Sequence, residues 1–423
     1  MRRLLVRPLL ATALAVGAVA AEPAPSPLPP LAGELAGQLT LPKIPGLPAL
    51  TWRVAVRPTA DASLAFDATA SAPGLDLTVA LTLPRGDAPG TWRIVRSKCD
   101  ASAWWHLSAE QAGAKSFPPD FELTGELVVT GAGEWRGADY SGALHVALAQ
   151  GTAASVAQHW SATGFSLEGD VDLAPARTAF RRASLRVDTV VAAGITARNF
   201  LLDATGAPGG RLAVTRAEVA ALGGRITLAP FTLDPLAPAV ASEADFSQVG
   251  LGEIAGLLPQ ALAEARGQIA GRVSVNWSLK SGVGPGHGAL AISPDQPATL
   301  RLAPSPGLLT GRSPERIALL PAFFGPLRKW TAIENPAHAM LRRIELGQLP
   351  LAVESLEINL YPDGTAGTRS AAVRVVARPT GVGDVVEKVT FNVNVSGPLD
   401  QVMRLGLDDR AKIRVNAAAP TKP

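Results

Sequence analysis

The sequence predicts an all-β protein: an elongated, curled antiparallel sheet, a taco-like β-groove with an apolar interior and two short amphipathic helices. Three observations predict it. Apolar and polar residues alternate with period two in Leu75-Asp76-Leu77-Thr78-Val79-Ala80-Leu81-Thr82-Leu83, in Arg272-Val273-Ser274-Val275-Asn276-Trp277-Ser278-Leu279-Lys280 and in Val389-Thr390-Phe391-Asn392-Val393-Asn394-Val395-Ser396. Successive strand side chains point to opposite faces, so each segment has one apolar and one polar face. Turn signals recur every ten to fifteen residues or so, the rhythm of a meander rather than of strand–helix alternation. The segments number on the order of 25, too many for one ordinary sandwich of about 2–10 strands per sheet.

The elements follow in order. Arg2, Arg3 and Arg7 precede an apolar run from Leu9 to Val19, and Ala18-Val19-Ala20 has the form of a cleavage site. Residues 1–21 therefore read as an export signal, with an uncleaved anchor as the rival reading. Residues 22–50 carry Pro23, Pro25, Pro27, Pro29, Pro30, Pro42, Pro45 and Pro48 and read as an extended lead-in. An N-terminal β region spans 51–164, beginning with Trp52-Arg53-Val54-Ala55-Val56-Arg57.

A second β region spans 165–303, with strands at Phe165–Leu173, Leu185–Val191, Ile195–Ala204, Leu212–Val219 and Ile226–Leu233. Within it, Leu251, Ile254, Leu257, Leu258 and Leu262 fall at helical spacing over 249–265, with Pro259 inside. Residues 304–334 form an irregular linker whose Leu319, Leu320, Phe323 and Phe324 suit either core insertion or membrane contact. Residues 335–415 form a C-terminal β domain that opens on a helix, with Pro336 near its start and Ala337, Met340, Leu341 and Ile344 on one face. Residues 416–423 are a tail.

Composition narrows the function. The 423 residues are 47% hydrophobic, 5% aromatic and 18% charged, with a net charge of +3. No Lys/Arg run occurs, which argues against nucleic acid as a partner. The one cysteine, Cys99, excludes an internal disulfide and reads as a partly buried residue without a chemical role. The five histidines are scattered, and no H-E-x-x-H, paired-Cys or nucleophile-elbow pattern is present. The glycine-rich stretch 282–288 lacks a lysine and a following helix, so it reads as a turn. Asp170 and Asp172 share a strand face and read as solvated. No catalytic residue, metal ligand or cofactor is assigned, and the chain reads as a non-enzyme. With only 21 aromatic residues, the girdles of a membrane barrel are not expected.

The candidate site is the apolar interior itself. Its predicted lining is Leu75, Leu77, Val79, Leu81 and Leu83, then Val273, Val275, Trp277 and Leu279, then Val389, Phe391, Val393 and Val395, with the alternating residues facing solvent.

Four features lie together in one order: Ala221-Leu222-Gly223-Gly224-Arg225-Ile226, Leu233-Asp234-Pro235, Leu251-Gly252-Glu253-Ile254-Ala255-Gly256-Leu257-Leu258, and Gly267-Gln268-Ile269-Ala270-Gly271-Arg272-Val273. A Gly-Gly strand, an aspartate-ended strand, a Leu-rich helix and a Gly-x-Ile-x-Gly-x-Val strand resemble the YdbH family of Gram-negative envelope proteins, within the AsmA-like group that includes TamB and YhdP. The order of elements from Ala339-Met340-Leu341 to Phe391-Asn392-Val393 is similar to that family's terminal domain, so the resemblance covers roughly 165–405. It implies a periplasmic groove that conducts phospholipid between inner and outer membranes. The partners implied are phospholipid or another acyl-chain lipid, a membrane surface and other envelope proteins. The alternative is a structural β-scaffold or outer-membrane assembly protein with a closed, packed interior.

Overall fold

The computed structural model describes residues 32–39, 49–102, 120–318, 332–396 and 416–417, apart from short stretches at 62, 85–87, 138, 157–159, 175–176, 193–194, 235–238, 258, 260, 279–281, 294, 362–368 and 381–384. Residues 1–21, and with them the expected export signal, lie outside the described part. Among the described residues the alternating segments form 24 strands, and 22 of these join one antiparallel sheet.

From the first strand to the eleventh, each pairs with its neighbours in sequence. The first are β1 (Gly33–Leu39), β2 (Leu50–Pro58), β3 (Leu64–Ala72), β4 (Leu75–Leu83) and β5 (Gly90–Asp100). β1 falls inside the Pro-rich lead-in. It occupies the proline-free interval between Pro30 and Pro42, where every residue keeps an N–H for the ladder.

Next come β6 (Phe121–Arg136), β7 (Asp139–Ser155), β8 (Trp160–Ala174) and β9 (Arg177–Ala192), each of 15–17 residues. At about 3.3 Å per residue these strands are roughly 50 Å long. Bulges interrupt the ladders. Gln150, on β7, and Asn199, on β10 (Ile195–Ala207), have φ of 53° and 54° and sit at register breaks. Gln248, with φ 57°, marks the same irregularity on β14 (Ala239–Gly250). Each bulge adds residues without turning the apolar side chains outward.

Beyond β11 (Arg211–Ala221) the ribs become composite. β12 (Gly224–Leu228) and β13 (Phe231–Leu233) both pair with β11 and meet at Pro230. β15 (Leu262–Arg266) and β16 (Gln268–Ser278) meet at Gly267, whose φ is +117°. They pair with β18 (Ala298–Leu302) and β17 (Gly282–Ile292) respectively. β19 (Arg316–Ala318) and β20 (Ala332–Glu334) form a separate two-stranded ribbon. The main sheet resumes with β21 (Leu351–Leu360), β22 (Arg369–Pro379), β23 (Val389–Ser396) and β24 (Asn416–Ala417). With three composite ribs, the 22 strands stand as about nineteen ribs, which at about 4.8 Å each make a sheet roughly 90 Å long.

Two helices lie over the C-terminal ribs. The helical spacing over 249–265 predicts a longer first helix than forms. α1 is only Leu251–Leu257, and Leu262–Arg266 is strand. Pro259 has no N–H to continue the helix, and the following backbone is claimed by β18. α2 is Pro336–Glu345, as the pattern predicts. Asn335 caps it by accepting a bond from the Ala337 N–H at 3.1 Å, and it donates from Nδ2 to the Pro314 carbonyl at 2.9 Å. Pro336 sits where a missing N–H costs nothing, and Arg342 and Arg343 face the negative end of the helix dipole.

Glu345 ends α2 at 2% exposure. It accepts bonds from Leu309 N–H at 2.9 Å, Thr310 N–H at 3.1 Å and Thr310 Oγ1 at 2.8 Å. Burial works against its charge, yet these donors outweigh burial and hold the carboxyl below its ordinary value of 4.5. The contribution to stability is therefore complete above that value and is lost as pH falls through the lower folded-state value. Hydrogen exchange at Leu309 and Thr310 is expected to accelerate below pH 4.5, and Glu345→Gln is expected to remove most of that pH dependence. The outcome that defeats this is an unchanged acid profile in Glu345→Gln.

Leu308 and Leu309, in the expected linker, pack on the C-terminal core. Leu319, Leu320, Phe323 and Phe324 lie outside the described residues.

Candidate functional site

The ladder register places the three alternating segments on one face. From β2 to β8 the apolar row runs Val54, Ala68, Val79, Ile94, Gly131, Leu144, Val171, each directly opposite the next. Leu167, on the same face of β8, continues through Leu185 and Leu202 to Ala217 on β11. Val219, two residues on, leads through Ile226, Phe246 and Gly271 to Leu290 on β17. Ile358, Val373 and Val393 complete the crossing. Register slip by one residue on any rib would turn its apolar set to the wrong face, so the row is held by the solvent penalty as well as by the ladder.

The opposite face is ionic. Arg53–Glu34 (2.8 Å), Arg57–Asp67 (2.8 Å), Arg96–Asp76 (3.2 Å), Lys98–Glu126 (2.7 Å) and Arg272–Asp245 (3.0 Å) each join neighbouring ribs. Arg378 and Lys388 both reach Glu354. Exposed pairs of this kind contribute at most about 1 kcal/mol each. Their consequence is polarity: these charges lie on the face opposite the apolar row. Asp170 and Asp172 belong to this face. Asp170 lies 2.8 Å from His145 Nδ1 and 3.2 Å from Arg182, and Asp172 lies 2.6 Å from Arg181. The hydrogen bond from His145 is the main cause of the lowered Asp170 pKa. These carboxylates are paired rather than only solvated.

On the apolar face tryptophans are laid over glycines. Trp92 stands opposite Gly133, Trp135 opposite Gly90 and Trp52 opposite Gly37. A Cβ at Gly133 would lie 2.7 Å from Trp92 and 1.9 Å from the Ser141 carbonyl, so only glycine leaves room for the indole. Trp92 is 2% exposed, and its Nε1 donates to the Ser141 carbonyl at 3.1 Å. Leu144, Val171 and Leu173 pack beside it.

The predicted lining residues fall into different surroundings on this face. Leu77 and Val79 are buried, Leu75 and Leu81 half-buried, and Leu83 exposed at the strand end. Val273 is buried, while Val275 and Trp277 are half-buried. Leu279 and the side chain of Val395 lie outside the described residues. Val389 and Phe391 are buried in the C-terminal cluster with Ile344 of α2 and Ala255 of α1, and Val393 is half-buried. Both helices cover this last region. Between β2 and β13, among the described residues, the clusters are made of strand side chains alone. Alternation could not reveal this contrast, because helix cover depends on where distant segments return.

Cys99 is buried at 6% exposure, and burial, with Asp100 beside it, pushes its thiol up to about 12. It is inert rather than nucleophilic. Among the described residues no three His, Cys, Asp or Glu side chains gather as a metal site, and no helix is long and apolar enough to cross a membrane.

Residues 105–283 match the family model described as YdbH-like, intermembrane phospholipid transport protein YdbH. The chain carries a YdbH-like domain. That domain takes in β6 to β16 and the first residues of β17, including the long strands and the Leu251–Leu257 helix. It begins earlier than the resemblance read from the residues and ends before the C-terminal strands. No curated protein matches the chain, and no solved structure does.

Proposed function

We propose that this is a non-enzymatic envelope protein whose apolar β-face holds the acyl chains of phospholipid and conducts them between inner and outer membranes. The observation that carries the reading is the apolar row crossing from β2 to β23 without an intervening charged residue. The YdbH-like domain supplies the lipid class and the envelope location. Each CH₂ taken from water is worth about 0.8 kcal/mol, and a wall of Leu, Val and Ile supplies that without directional bonds that would hinder sliding. In this reading the sheet curls around its apolar side in the periplasm after residues 1–21 are removed. The predicted lining residues of β4 and β16 then contact lipid, while Val389 and Phe391 serve the closed end.

Native mass spectrometry of the mature exported chain is expected to show adducts of phospholipid mass that detergent exchange removes. A chain that is always lipid-free would leave the scaffold reading. One observation favours that second reading locally: the C-terminal cluster is a packed core under two helices, with Ile344 and Leu351 fully buried.

A further inference from the structure

The first rib ends the sheet with an open edge. β1 pairs with β2 over all seven of its residues, and among the described residues no strand pairs with its other side. Alternate residues along it therefore direct their backbone N–H and C=O groups away from the sheet. Such edges are ordinarily blunted by Lys, Pro, a bulge or a covering element. β1 has no Lys, Arg or Pro, and its ladder with β2 runs without a register break. Its one charge, Glu34, is held by Arg53 on the ionic face. Leu35, on the apolar face opposite Val54, is 60% exposed. The last ribs, by contrast, are packed under α1 and α2.

The strand is complementary to itself. Residues directly opposite in an antiparallel ladder share a face, so a two-fold pairing of identical strands must centre on a residue. Centred on Ala36, it engages all seven residues. Leu35 then stands opposite the partner's Gly37, and Leu39 opposite the partner's Gly33, so each leucine falls where there is no side chain. The indole of Trp52 already lies over Gly37, 2.8 Å from where a Cβ would be, so each Leu35 approaches the aromatic ring that covers that glycine. On the ionic face Glu34 stands opposite the partner's Gln38, whose amide can donate to a carboxylate. Centring on Glu34 instead would set two carboxylates face to face. We infer that β1 is the docking edge for a second copy of this chain, paired antiparallel about a two-fold axis at Ala36. The apolar faces of the two copies then run on into one another across the seam. The pairing stands on the edge itself and does not depend on the lipid-conducting reading.

A seven-residue seam is small beside the roughly 800 Å² per partner of a standard interface, so a dissociation constant on the order of 10 μM is expected. Sedimentation of the full exported chain at concentrations on either side of that value is expected to show a reversible monomer–dimer equilibrium. Leu35→Lys puts a charge on the edge from both copies and is expected to weaken the dimer by about tenfold or more. The thermal midpoint of the monomer is expected to stay unchanged, since Leu35 is exposed. Ala36→Cys sets two thiols directly opposite, at a Cα separation of about 4.5–5.5 Å that a disulfide spans, and mild oxidation is expected to link the chain as a dimer. Leu35→Cys sets the thiols out of register. That variant and the wild type, whose Cys99 is buried, are expected to remain unlinked. A chain that stays monomeric at the highest concentration and does not link through Ala36→Cys refutes the proposal. A dimer that survives Leu35→Lys, or that links through Leu35→Cys and not through Ala36→Cys, is held elsewhere or in another register and refutes it equally. Capture of a different envelope protein by Ala36→Cys, in place of a second copy, gives the edge to that partner and also overturns it.

Discussion

Val275→Asp and Val393→Asp are expected to lose lipid crosslinking by roughly tenfold or more while the sheet remains assembled. Both valines lie on the apolar face and both are half-buried. An ionised carboxylate there must be desolvated whenever an acyl chain lies against it, a cost of several kcal/mol that the empty face does not impose. The ladder on either side of Val275, to Ser242 and Pro285, supplies backbone bonds that do not depend on the side chain. Ser274→Asp and Asn392→Asp, one residue along and on the outer face, are the controls. Ser274 donates to the His287 carbonyl at 2.8 Å, so its substitution tests loss of a surface bond without a charge on the inner face. Photo-crosslinking to lipid and thermal unfolding are the two readouts. If the inward variants unfold and the wild type crosslinks no lipid, the interior is a packed core and the scaffold reading replaces the conducting one.

Trp92→Ala is expected to cost about 3–5 kcal/mol, the range for truncating a large buried aromatic. The indole is buried against Gly133 and Gly142, a facing pair of β6 and β7 that has no side chains to fill its place. Removing the ring exposes bare backbone and empties the centre of the cluster formed with Leu144, Val171 and Leu173. The damage should stay local. In a meander each rib touches chiefly its neighbours, so stability is a sum of near-neighbour terms. Hydrogen exchange is therefore expected to accelerate on β4–β8 and to remain unchanged on β21–β23. Trp92→Phe keeps most of the burial and loses the bond to the Ser141 carbonyl, at about 1 kcal/mol. Uniform loss of protection along the whole sheet would show that the ribs unfold as one unit, contrary to this expectation.

Much of this protein is legible in its sequence because a strand's two faces are decided by residue parity alone. The alternation in 75–83, 272–280 and 389–396 was enough to place Val79, Val273 and Val393 on the apolar side, and the turn residues were enough to make the topology a meander. Asn335-Pro336 at the head of an amphipathic run was enough for α2, since a cap and a proline act within one turn. Other features required the folded chain. The bulges at Gln150, Asn199 and Gln248 have no parity signature, because they correct the register of ribs that meet only in three dimensions. The end of α1 at Leu257 depended on β15 finding β18. The cover over Phe391 and the break between β12 and β13 at Pro230 depended on which rib each half-strand follows. Parity is a local property of the chain and could be read directly. Which part of the apolar face is closed by helices, and where a rib is broken into two strands, are relations between distant segments, and only the tertiary structure decides them.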